Sequence, residues 1–321
     1  MKSGCLNLEE EYKSGEAKLA ILLCTCNGER YLEEQLKSIF SQTYVNFEIH
    51  AADDCSQDDT IKILNRSKEK DRRLSTVYKN NKQKGFVRNF LSLVCDPHIQ
   101  ADYYAFSDQD DVWAPRKLEH ATKWLADIPP AVPALYCSRT QLVDQSNKEI
   151  GFSPLFKKAP SFLNALVQNI AGGNTMVFND AARKILLSAG ETVEVAAHDW
   201  WTYLAVSGCG GRVFYDPHPS IRYRQHSKNL IGMNVGIKNR FIRIRLLLQG
   251  QLRSWVDMNI NALLGIRHQL ARENLLALNV FLTGRDSWGL LRLLRVRRSG
   301  IYRQTLGGNL GLVLAAALKK L

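Results

Sequence analysis

Several common features are missing from this sequence, and each absence argues against a class of protein. The longest late apolar stretch, Leu310–Leu318, is far shorter than the roughly 20 residues of a membrane-spanning helix. The first seventeen residues are polar and lack the apolar segment of a secretory signal. Neither G-x-G-x-x-G nor G-x-x-x-x-G-K-[ST] occurs, so dinucleotide oxidoreduction and Walker-type phosphoryl transfer are unsupported. We therefore expect a cytoplasmic protein with different chemistry.

Paired cysteine motifs are also missing. The chain has seven cysteines, an odd number, and they are scattered. The only close pair, Cys24 and Cys26, is C-x-C rather than the C-x-x-C of zinc sites. This pattern predicts reduced thiols and no disulfide framework.

Acidic residues are scarce in the last quarter of the chain. From Gly236 onward there are fifteen Lys and Arg but three Asp and Glu, whereas residues 1–235 hold 28 of each sign. The whole net charge of +12 therefore lies after residue 235. This split predicts a boundary near Asn234–Ile237 and an anionic partner for a basic tail at 236–321. Before it we expect a domain at 18–235, preceded by a loosely attached lead at 1–17.

Four short segments are strand candidates, the first of them a continuous apolar run, and a polar loop follows each. They are Leu19–Cys24, Phe47–Ala52, Ser75–Tyr78 and Tyr103–Phe106. Helical patterns follow the loops, and this alternation predicts an α/β fold with parallel strands and helices on both faces. The loops after the strands should then gather at one edge of the sheet, where such folds bind ligands.

The fourth strand runs into three carboxylates, Asp108, Asp110 and Asp111. Acids this close repel one another, and a cation offsets that charge. Oxygen ligands favour Mg²⁺ or Mn²⁺, which usually bring phosphate oxygens with them. The alternative is a solvated acidic turn that caps the next helix.

A second acidic site is His198–Trp201, in which Asp199 precedes Trp200 and Trp201. Partial desolvation by the indoles would raise the pKa of Asp199 toward the range of a general base. Tryptophan faces also suit the apolar faces of sugars. The alternative is a helix N-terminus, with Asp199 as its cap and both tryptophans in the core.

Two further segments carry candidate ligand-binding residues. The first follows a predicted strand at Arg212–Tyr215 and a predicted Pro-rich turn at Asp216–Pro219. In Arg222–His226, alternate arginines of an extended segment could hold a diphosphate, and His226 could bind metal or phosphate, unless this is simply a basic strand edge. In Gly172–Phe178, two glycines allow close approach of a ligand, or form a tight turn without one.

Six motifs, in order, carry a resemblance to a known family. They are ILLCTCNGERYLEEQLKSIFSQTY, AADDCSQDDT, KGFVRNF, FSDQDDVW, HDWWTYL and YRQHSKNLIG. Together they resemble family 2 glycosyltransferases, and more narrowly the bacterial rhamnosyltransferases of polysaccharide and O-antigen assembly. The resemblance implies a GT-A fold, with a Rossmann-like, mostly parallel mixed sheet flanked by helices, followed here by the basic helical tail.

The resemblance also implies roles for individual residues. Cys26 and Cys55 depart from the pattern, because they stand where the family usually has an aromatic residue and a glycine. Asp199 would be the catalytic base. The nucleotide sugar would be bound by Thr25, Asn27, Asp53, Arg88, Asp108 and Arg224; the Mg²⁺ or Mn²⁺ ion by Asp110, Asp111 and His226; and the acceptor by Gly173, Asn174, Trp200 and Trp201.

These roles imply an inverting transfer of a sugar, with dTDP-L-rhamnose as the expected donor. The acceptor would be a saccharide or a lipid-linked saccharide. The alternative is a non-catalytic nucleotide-binding or membrane-scaffold protein on a degenerate transferase fold, motivated by Cys26 and Cys55.

The tail has apolar residues at helical spacing, namely Ile244, Leu248, Leu252, Val256, Ile260 and Leu263. Arginines cluster nearby, and leucine and arginine alternate again in Leu290–Arg298. Such helices suit an anionic membrane surface, so we expect a peripheral protein at the inner face of the cell membrane. Nucleic acid is not expected, because no binding motif for it is present. Packing of the tail on the domain or on a second subunit is the remaining alternative.

Overall fold

A mixed sheet of nine strands forms the centre of the protein. The computed structural model describes residues 17–80, 84–226, 245 and 249–321. The strands are β1 Leu19–Thr25, β2 Phe47–Asp53, β3 Leu74–Lys79, β4 Tyr103–Ser107, β5 Val112–Trp113, β6 Ala134–Val143, β7 Glu149–Phe152, β8 Val177–Asn179 and β9 Arg212–Arg224. Along the sheet they lie in the order β3-β2-β1-β4-β8-β6-β9-β5, and β7 pairs with β6.

The direction of the strands creates a single functional edge. Strands β2, β3 and β4 run parallel to β1, and β9 runs parallel to β6. Strand β8 is antiparallel to both β4 and β6, so β6 points the same way as β4. Six strands therefore end at one edge, whereas β5, β7 and β8 return from it.

All seven residues of β1 are buried, which fits its continuous apolar sequence and its central place in the sheet. Helices cover both faces of the sheet. They are α1 Leu32–Phe40, α2 Thr60–Lys70, α3 Phe86–Cys95, α4 Lys117–Ala126, α5 Phe162–Ala165, α6 Asp180–Ala189, α7 His198–Gly208, α8 Gln251–Gly265, α9 Arg272–Arg285, α10 Gly289–Arg298 and α11 Leu306–Ala317. Short 3₁₀ turns lie at Gly173–Thr175 and Arg267–Gln269.

Two hydrophobic cores lie on opposite sides of the sheet. One contains the apolar faces of α1, α2 and α4. The other contains α3, α5, α6 and α7 together with buried residues of all four C-terminal helices. The predicted α/β architecture with a helical C-terminal segment is therefore present.

The C-terminal helices share the core of the sheet domain. In α8 the predicted apolar stripe, Leu252, Val256, Ile260 and Leu263, is buried in the same cluster as α7. This arrangement favours the packing alternative for that stripe. Ile244, Leu248 and the predicted boundary after residue 235 lie outside the described residues. Among the described residues, no helix has the length and apolarity needed to span a membrane.

The prediction of a Pro-rich turn at Asp216–Pro219 is wrong, because β9 continues through these residues. Ser138 of β6 pairs with Asp216 and Thr140 pairs with Ile221, so the residues between them form a bulge. Prolines are tolerated at bulges, where a ladder hydrogen bond is already missing. Asp216 fixes the bulge by accepting hydrogen bonds from the Tyr136 hydroxyl at 2.7 Å and the His218 amide at 2.8 Å.

Candidate active site

The loops after β1 and β2 meet at Asp53, which is fully buried. Its carboxylate accepts a hydrogen bond from the Thr25 hydroxyl at 2.9 Å and another from the Ser56 amide at 2.9 Å. Thr25 and Asp53, two of the predicted nucleotide-binding residues, are thus in direct contact. Much of the carboxylate's hydrogen-bonding capacity is used to hold the two loops together.

Asn27 continues this contact between the first two loops. Its amide donates to the Ser56 hydroxyl at 2.7 Å, and its side-chain oxygen accepts from the Gln57 amide at 2.8 Å. Cys55 has φ +65°, a left-handed conformation that favours glycine. Cysteine at the expected glycine position therefore keeps the backbone shape of the loop, and its thiol donates to the Asn80 carbonyl at 3.1 Å.

Gln109, the middle residue of the D-x-D pattern, was missed by the sequence analysis. Its side-chain oxygen accepts from the Cys26 amide at 2.8 Å, and its nitrogen donates to the Cys26 carbonyl at 2.9 Å. A Cβ on Gly28 would stand 2.2 Å from the same Gln109 oxygen. These contacts join the first loop to the acidic loop. In the sequence, Gly28 is only a weak sign of this close approach.

Arg88 stands apart from these loops. It lies in the first turn of α3 and is exposed, and among the described residues it has no hydrogen-bonding or ionic partner. The residue that fixes the start of α3 is Asp54, which accepts from the Lys84 amide at 2.6 Å and the Gly85 amide at 2.9 Å. The predicted nucleotide contact of Arg88 stays a prediction.

The carboxylates of the acidic loop have raised pKa values. Burial, reinforced by the charges of Asp110 and Asp199, raises the pKa of Asp108 to about 8. Burial and the charges of Asp110 and Asp108 also raise the pKa of Asp111 well above its usual range. A cation at this loop would relieve both effects.

Lys117 is a buried cation behind this loop that the sequence did not reveal. It is 1% exposed, and its Nζ lies 3.3 Å from the centroid of the Trp113 ring. Burial lowers its pKa well below the usual value, and the charges of Asp111 and Asp108 oppose that shift. Lys117 therefore offsets only part of the acidic charge.

Asp110 and His226 form the pair best placed to bind a divalent ion. The Nε2 of His226 lies 2.8 Å from Oδ2 of Asp110, and the side chains are 11% and 18% exposed. The His226 ring stacks on Tyr31 at 5.4 Å between centroids. At this distance the two side chains are hydrogen-bonded to each other. Two neighbouring ligands on an octahedral Mg²⁺, each about 2.0–2.1 Å from the ion, would stand roughly 3 Å apart. The separation therefore suits a shared ion, which would replace this hydrogen bond.

The described residues contain no group of three or more His, Cys, Asp and Glu side chains arranged to hold a metal. Mg²⁺ commonly binds one or two protein ligands and takes the rest from phosphates and water. Asp111 was predicted as a third ligand, but it is fully buried. Its carboxylate accepts hydrogen bonds from the Asn174 side chain and, at 3.3 Å, from the Arg224 amide. As placed, Asp111 braces the loop.

Arg224 was predicted to hold the diphosphate of the nucleotide sugar. In the structure its guanidinium is directed toward neighbouring protein groups instead. Its side chain is 2% exposed and pairs with Glu34 at 2.5 Å. The guanidinium also donates to the Asp110 carbonyl at 3.1 Å and the Gln145 carbonyl at 3.0 Å, and it lies 4.5 Å from the Tyr31 ring centroid. In this geometry Arg224 holds the end of β9 against the acidic loop and α1.

Asp199 lies in the first turn of α7, and neighbouring amides orient its carboxylate. The Gly173 amide donates to it at 3.1 Å and the Trp200 amide at 2.6 Å. Burial raises its pKa to about 6, although these hydrogen bonds act in the opposite direction. Asp199 also contributes to the raised pKa of Asp108, so the two acids lie within electrostatic reach. The predicted helix N-terminus is present, but its cap is Ala197, and Asp199 is the second residue of the helix. The first turn of a helix and the properties of a base therefore coexist at Asp199.

Gly173 and Asn174, predicted on the acceptor side, connect the two acidic centres. Gly173 contacts Asp199, whereas Asn174 contacts Asp111. A Cβ on Gly173 would stand 2.4 Å from Nε2 of His198, a ring that stacks on Phe90 at 3.9 Å. Glycine is required here by close approach of its neighbours, without a ligand.

The predicted sugar contacts of Trp200 and Trp201 do not match the structure. Trp201 is 0% exposed and Trp200 is 6% exposed. The Trp200 indole donates to the Ala165 carbonyl at 2.6 Å. Both side chains belong to the core, which is the alternative that the sequence left open.

Comparison with known proteins places these features in a family. The sequence profile of Glycosyl transferase family 2 matches residues 20–186. Among curated proteins, the dTDP-rhamnosyl transferase RfbG of Shigella flexneri is 29% identical over 75% of this chain and 84% of its own length. RfbG is similar in sequence over most of both proteins.

Solved structures share the fold. The structure of TarS of S. aureus in complex with UDP matches over 94% of this chain and 88% of the TarS chain, with a TM-score of 0.54 and 16% identity. The mannosyltransferase PcManGT of Pyrobaculum calidifontis in complex with GDP-Man and Mn²⁺ covers 95% of this chain and 87% of its own, with a TM-score of 0.51 and 17% identity. At these identities the likeness concerns the fold alone, and it confirms the predicted GT-A architecture.

Proposed function

Because the chain belongs to glycosyl transferase family 2, we propose that it is an inverting enzyme that moves a sugar from a nucleotide-diphospho donor to an acceptor hydroxyl. One observation carries this proposal. The hydrogen-bonded pair Asp110 and His226 lies in the same loop system as Asp199, an oriented acid with a raised pKa, and the turn at Gly173 and Asn174 connects the two. Donor activation and proton removal need two such centres close to each other.

The donor side is formed by the joined loops after β1, β2 and β4. Thr25, Asn27 and Asp53 are proposed to contact the nucleoside, and Asp108 the ribose, as the family resemblance implies. The similar protein RfbG is named as a dTDP-rhamnosyl transferase, so we propose dTDP-L-rhamnose as the donor. Arg88 is exposed at the start of α3, where it could approach the nucleotide.

Asp110 and His226 are the proposed ligands of Mg²⁺ or Mn²⁺. When bound, this ion would neutralise charge on the leaving diphosphate. Asp111 and Arg224 then act as positioning residues, because their hydrogen bonds fix the loop that carries Asp110.

Asp199 is the proposed base. An acceptor hydroxyl attacks the anomeric carbon while its proton passes to the Asp199 carboxylate. A new carbon–oxygen bond forms on one face of the sugar. The bond to the diphosphate breaks on the other face, and its electron pair leaves with the nucleoside diphosphate. The amides of Gly173 and Trp200 hold the carboxylate in place for this transfer.

We propose a saccharide, either free or lipid-linked, as the acceptor, in the synthesis of a cell-surface polysaccharide at the inner face of the membrane. The alternative of a degenerate, non-catalytic module loses support from Cys55. That residue keeps the left-handed backbone for which the family uses glycine.

The proposal is tested by the Asp199→Asn variant. The substitution keeps the shape of the side chain but removes its basicity, so we expect a loss of about 10²–10⁴-fold in turnover. The measurement is release of dTDP from dTDP-L-rhamnose with Mn²⁺, with UDP-GlcNAc and GDP-mannose as comparison donors. Donor affinity, followed by calorimetry, should stay within a few-fold of the parent.

A matched control is Asp180→Asn, because Asp180 also lies in the first turn of a helix but belongs to α6. It should keep parental turnover. Full activity of Asp199→Asn would remove Asp199 from the role of base. Absence of turnover with every donor in the parent protein would instead favour a non-catalytic module.

A further inference from the structure

Helix α11 is apolar on its outer face as well as on the face that packs inward. Its twelve residues, Leu306–Ala317, include no charged side chain. The core takes Leu312 and Ala315, whereas Leu306 is 86% exposed and Leu310 is 73% exposed. A helix that is apolar all round is normally buried on all sides. The outer face of α11 therefore lacks a cover within the part of the chain that the structure describes.

Helix α10 presents a second exposed apolar face. Trp288, just before the helix, is 81% exposed, and Leu290 and Leu294 are 71% and 47% exposed. Arg297 and Arg298 are exposed on the same helix. Helix α10 thus combines exposed apolar and basic side chains.

The two helices are in contact with each other. Nζ of Lys319, just beyond α11, lies 5.4 Å from the centroid of the Trp288 ring at the start of α10. The Arg292 side chain of α10 also donates to the Ala316 carbonyl of α11 at 3.5 Å. We call the exposed side chains of 287–321 the apolar–basic face.

This face is exceptional among the described residues. Nineteen large hydrophobic residues are exposed, and nine of them lie within residues 287–321. The same segment contains seven Lys and Arg but no Asp or Glu. Large exposed apolar patches mark interaction sites, and the sign of the charge specifies an anionic partner.

We propose that the apolar–basic face docks on an anionic lipid bilayer. Leucine and tryptophan side chains would enter the boundary between headgroups and acyl chains, while arginine and lysine contact lipid phosphates. Two copies of the same face would bring like charges together, which disfavours a dimer. Nucleic acid would satisfy the charges but leave the leucines of α11 in water. The inference concerns a surface outside the active-site loops, so it is independent of the transfer reaction.

The structure also changes which residues would contact the membrane. The stripe of α8 predicted from the sequence is buried in the core. The second segment predicted from the sequence, Leu290–Arg298, lies in α10 and keeps exposed side chains, and α11 adds to it at the end of the chain.

The test uses the full chain and flotation with vesicles of phosphatidylcholine, with or without phosphatidylglycerol. We expect capture by the anionic vesicles only, and weaker capture at high salt. Replacing both Leu306 and Leu310 by Gln should weaken partitioning by at least about tenfold, because each leucine loses its burial in lipid. The matched control is Leu276→Gln on α9, where the side chain is 58% exposed outside this face.

The charge is tested in the same way. The double variant Arg297→Gln and Arg298→Gln should weaken binding by about fivefold per residue. A control with Arg267→Gln and Arg272→Gln, two exposed arginines in the 3₁₀ turn after α8 and at the start of α9, should leave it nearly unchanged. Circular dichroism and thermal melting check that each variant is folded.

Three outcomes would overturn the proposal. They are equal capture by neutral and anionic vesicles, unchanged binding of the leucine variant, and a dimer in light scattering that the leucine variant converts to monomer. Donor hydrolysis without vesicles should be unaffected by the leucine variant. If the leucine variant loses lipid binding and keeps hydrolysis, the result bears on this face alone. If the parent protein shows no hydrolysis at all, the result bears on the proposed function alone.

Discussion

Asp199 shows how one residue serves both the fold and the proposed chemistry. Its place in the first turn of α7 is stabilising for a carboxylate, because helix N-termini favour negative charge. Burial acts against that charge and raises its pKa to about 6. A base of this strength is ionised near neutral pH and can still hold a proton during transfer.

The raised pKa predicts a pH dependence of turnover. Asp199 accepts a proton only when it is ionised, so turnover should fall about tenfold per pH unit below about 6 and level off above it. The measurement is dTDP release at saturating donor across the acid range. The Asp180→Asn control should keep the same profile. A profile without a limb near pH 6 would contradict the role of Asp199.

Single residues were predictable where chemistry leaves a local pattern, and less so where a distant partner decides the role. The acids of the D-x-D loop and Asp199 could be recognised from their neighbours in sequence. The partner of Arg224 is Glu34, separated by 190 residues, and no local pattern reveals that contact. The same limit applies to Trp201, because its burial depends on the packing of α7 against other elements.

The 3₁₀ turn Gly173–Thr175 and helix α7 form one unit at the acceptor side. The turn gives its first amide to Asp199, and His198 fills the space where a side chain on Gly173 would lie. The His198 ring is 5% exposed and stacks on Phe90, so it has little room to move. Position 173 therefore tolerates only glycine.

This contact predicts the effect of Gly173→Ala. The added methyl group should destabilise the protein by about 1–3 kcal/mol through overpacking, and turnover should fall as the Asp199 carboxylate shifts. Thermal melting and dTDP release measure the two effects. The control is Gly265→Ala at the end of α8, where a Cβ meets no atom within 4 Å. Equal behaviour of the two variants would show that the turn does not orient Asp199.

Elements were predictable where burial dominates their sequence. The first four strands begin and end within one residue of their predicted positions. Strands β1, β2 and β4 are mostly buried and largely apolar, whereas β3 is a partly buried strand at the edge of the sheet. Strand β9 was predicted as Arg212–Tyr215 and extends to Arg224. Its prolines indicate a turn locally, and only pairing with β6 across a bulge keeps the segment extended.

At the scale of the molecule, the C-terminal helices are part of the domain. Phe281 of α9 and Val256 of α8 are 0% exposed and lie in the same core cluster as α7. The charge division in the sequence indicated a separate tail, but charge describes surfaces and gives no information about cores. Deleting the tail would therefore expose the core, so point variants are the better test of its function.

Phe281→Ala tests this integration. Removing a fully buried phenylalanine should lower the free energy of unfolding by about 3–5 kcal/mol. If the helices and the sheet share one core, tryptophan fluorescence and donor hydrolysis should be lost together on heating, at a lower temperature than in the parent. Leu276→Ala, with its exposed side chain on the same helix, should change stability by no more than about 0.5 kcal/mol. Two separate melting steps would indicate independent units.

Six strands end at the edge of the sheet that carries the proposed active site, so the opposite edge, the far rim, has no proposed chemistry. The turn that enters β4 lies at that rim, and Pro97 and His98 are exposed within it. Exposed turns of this kind accept foreign peptides most readily. A reporter tag or fluorescent domain spliced in between Pro97 and His98 would therefore follow this protein in the cell from the side opposite its loops.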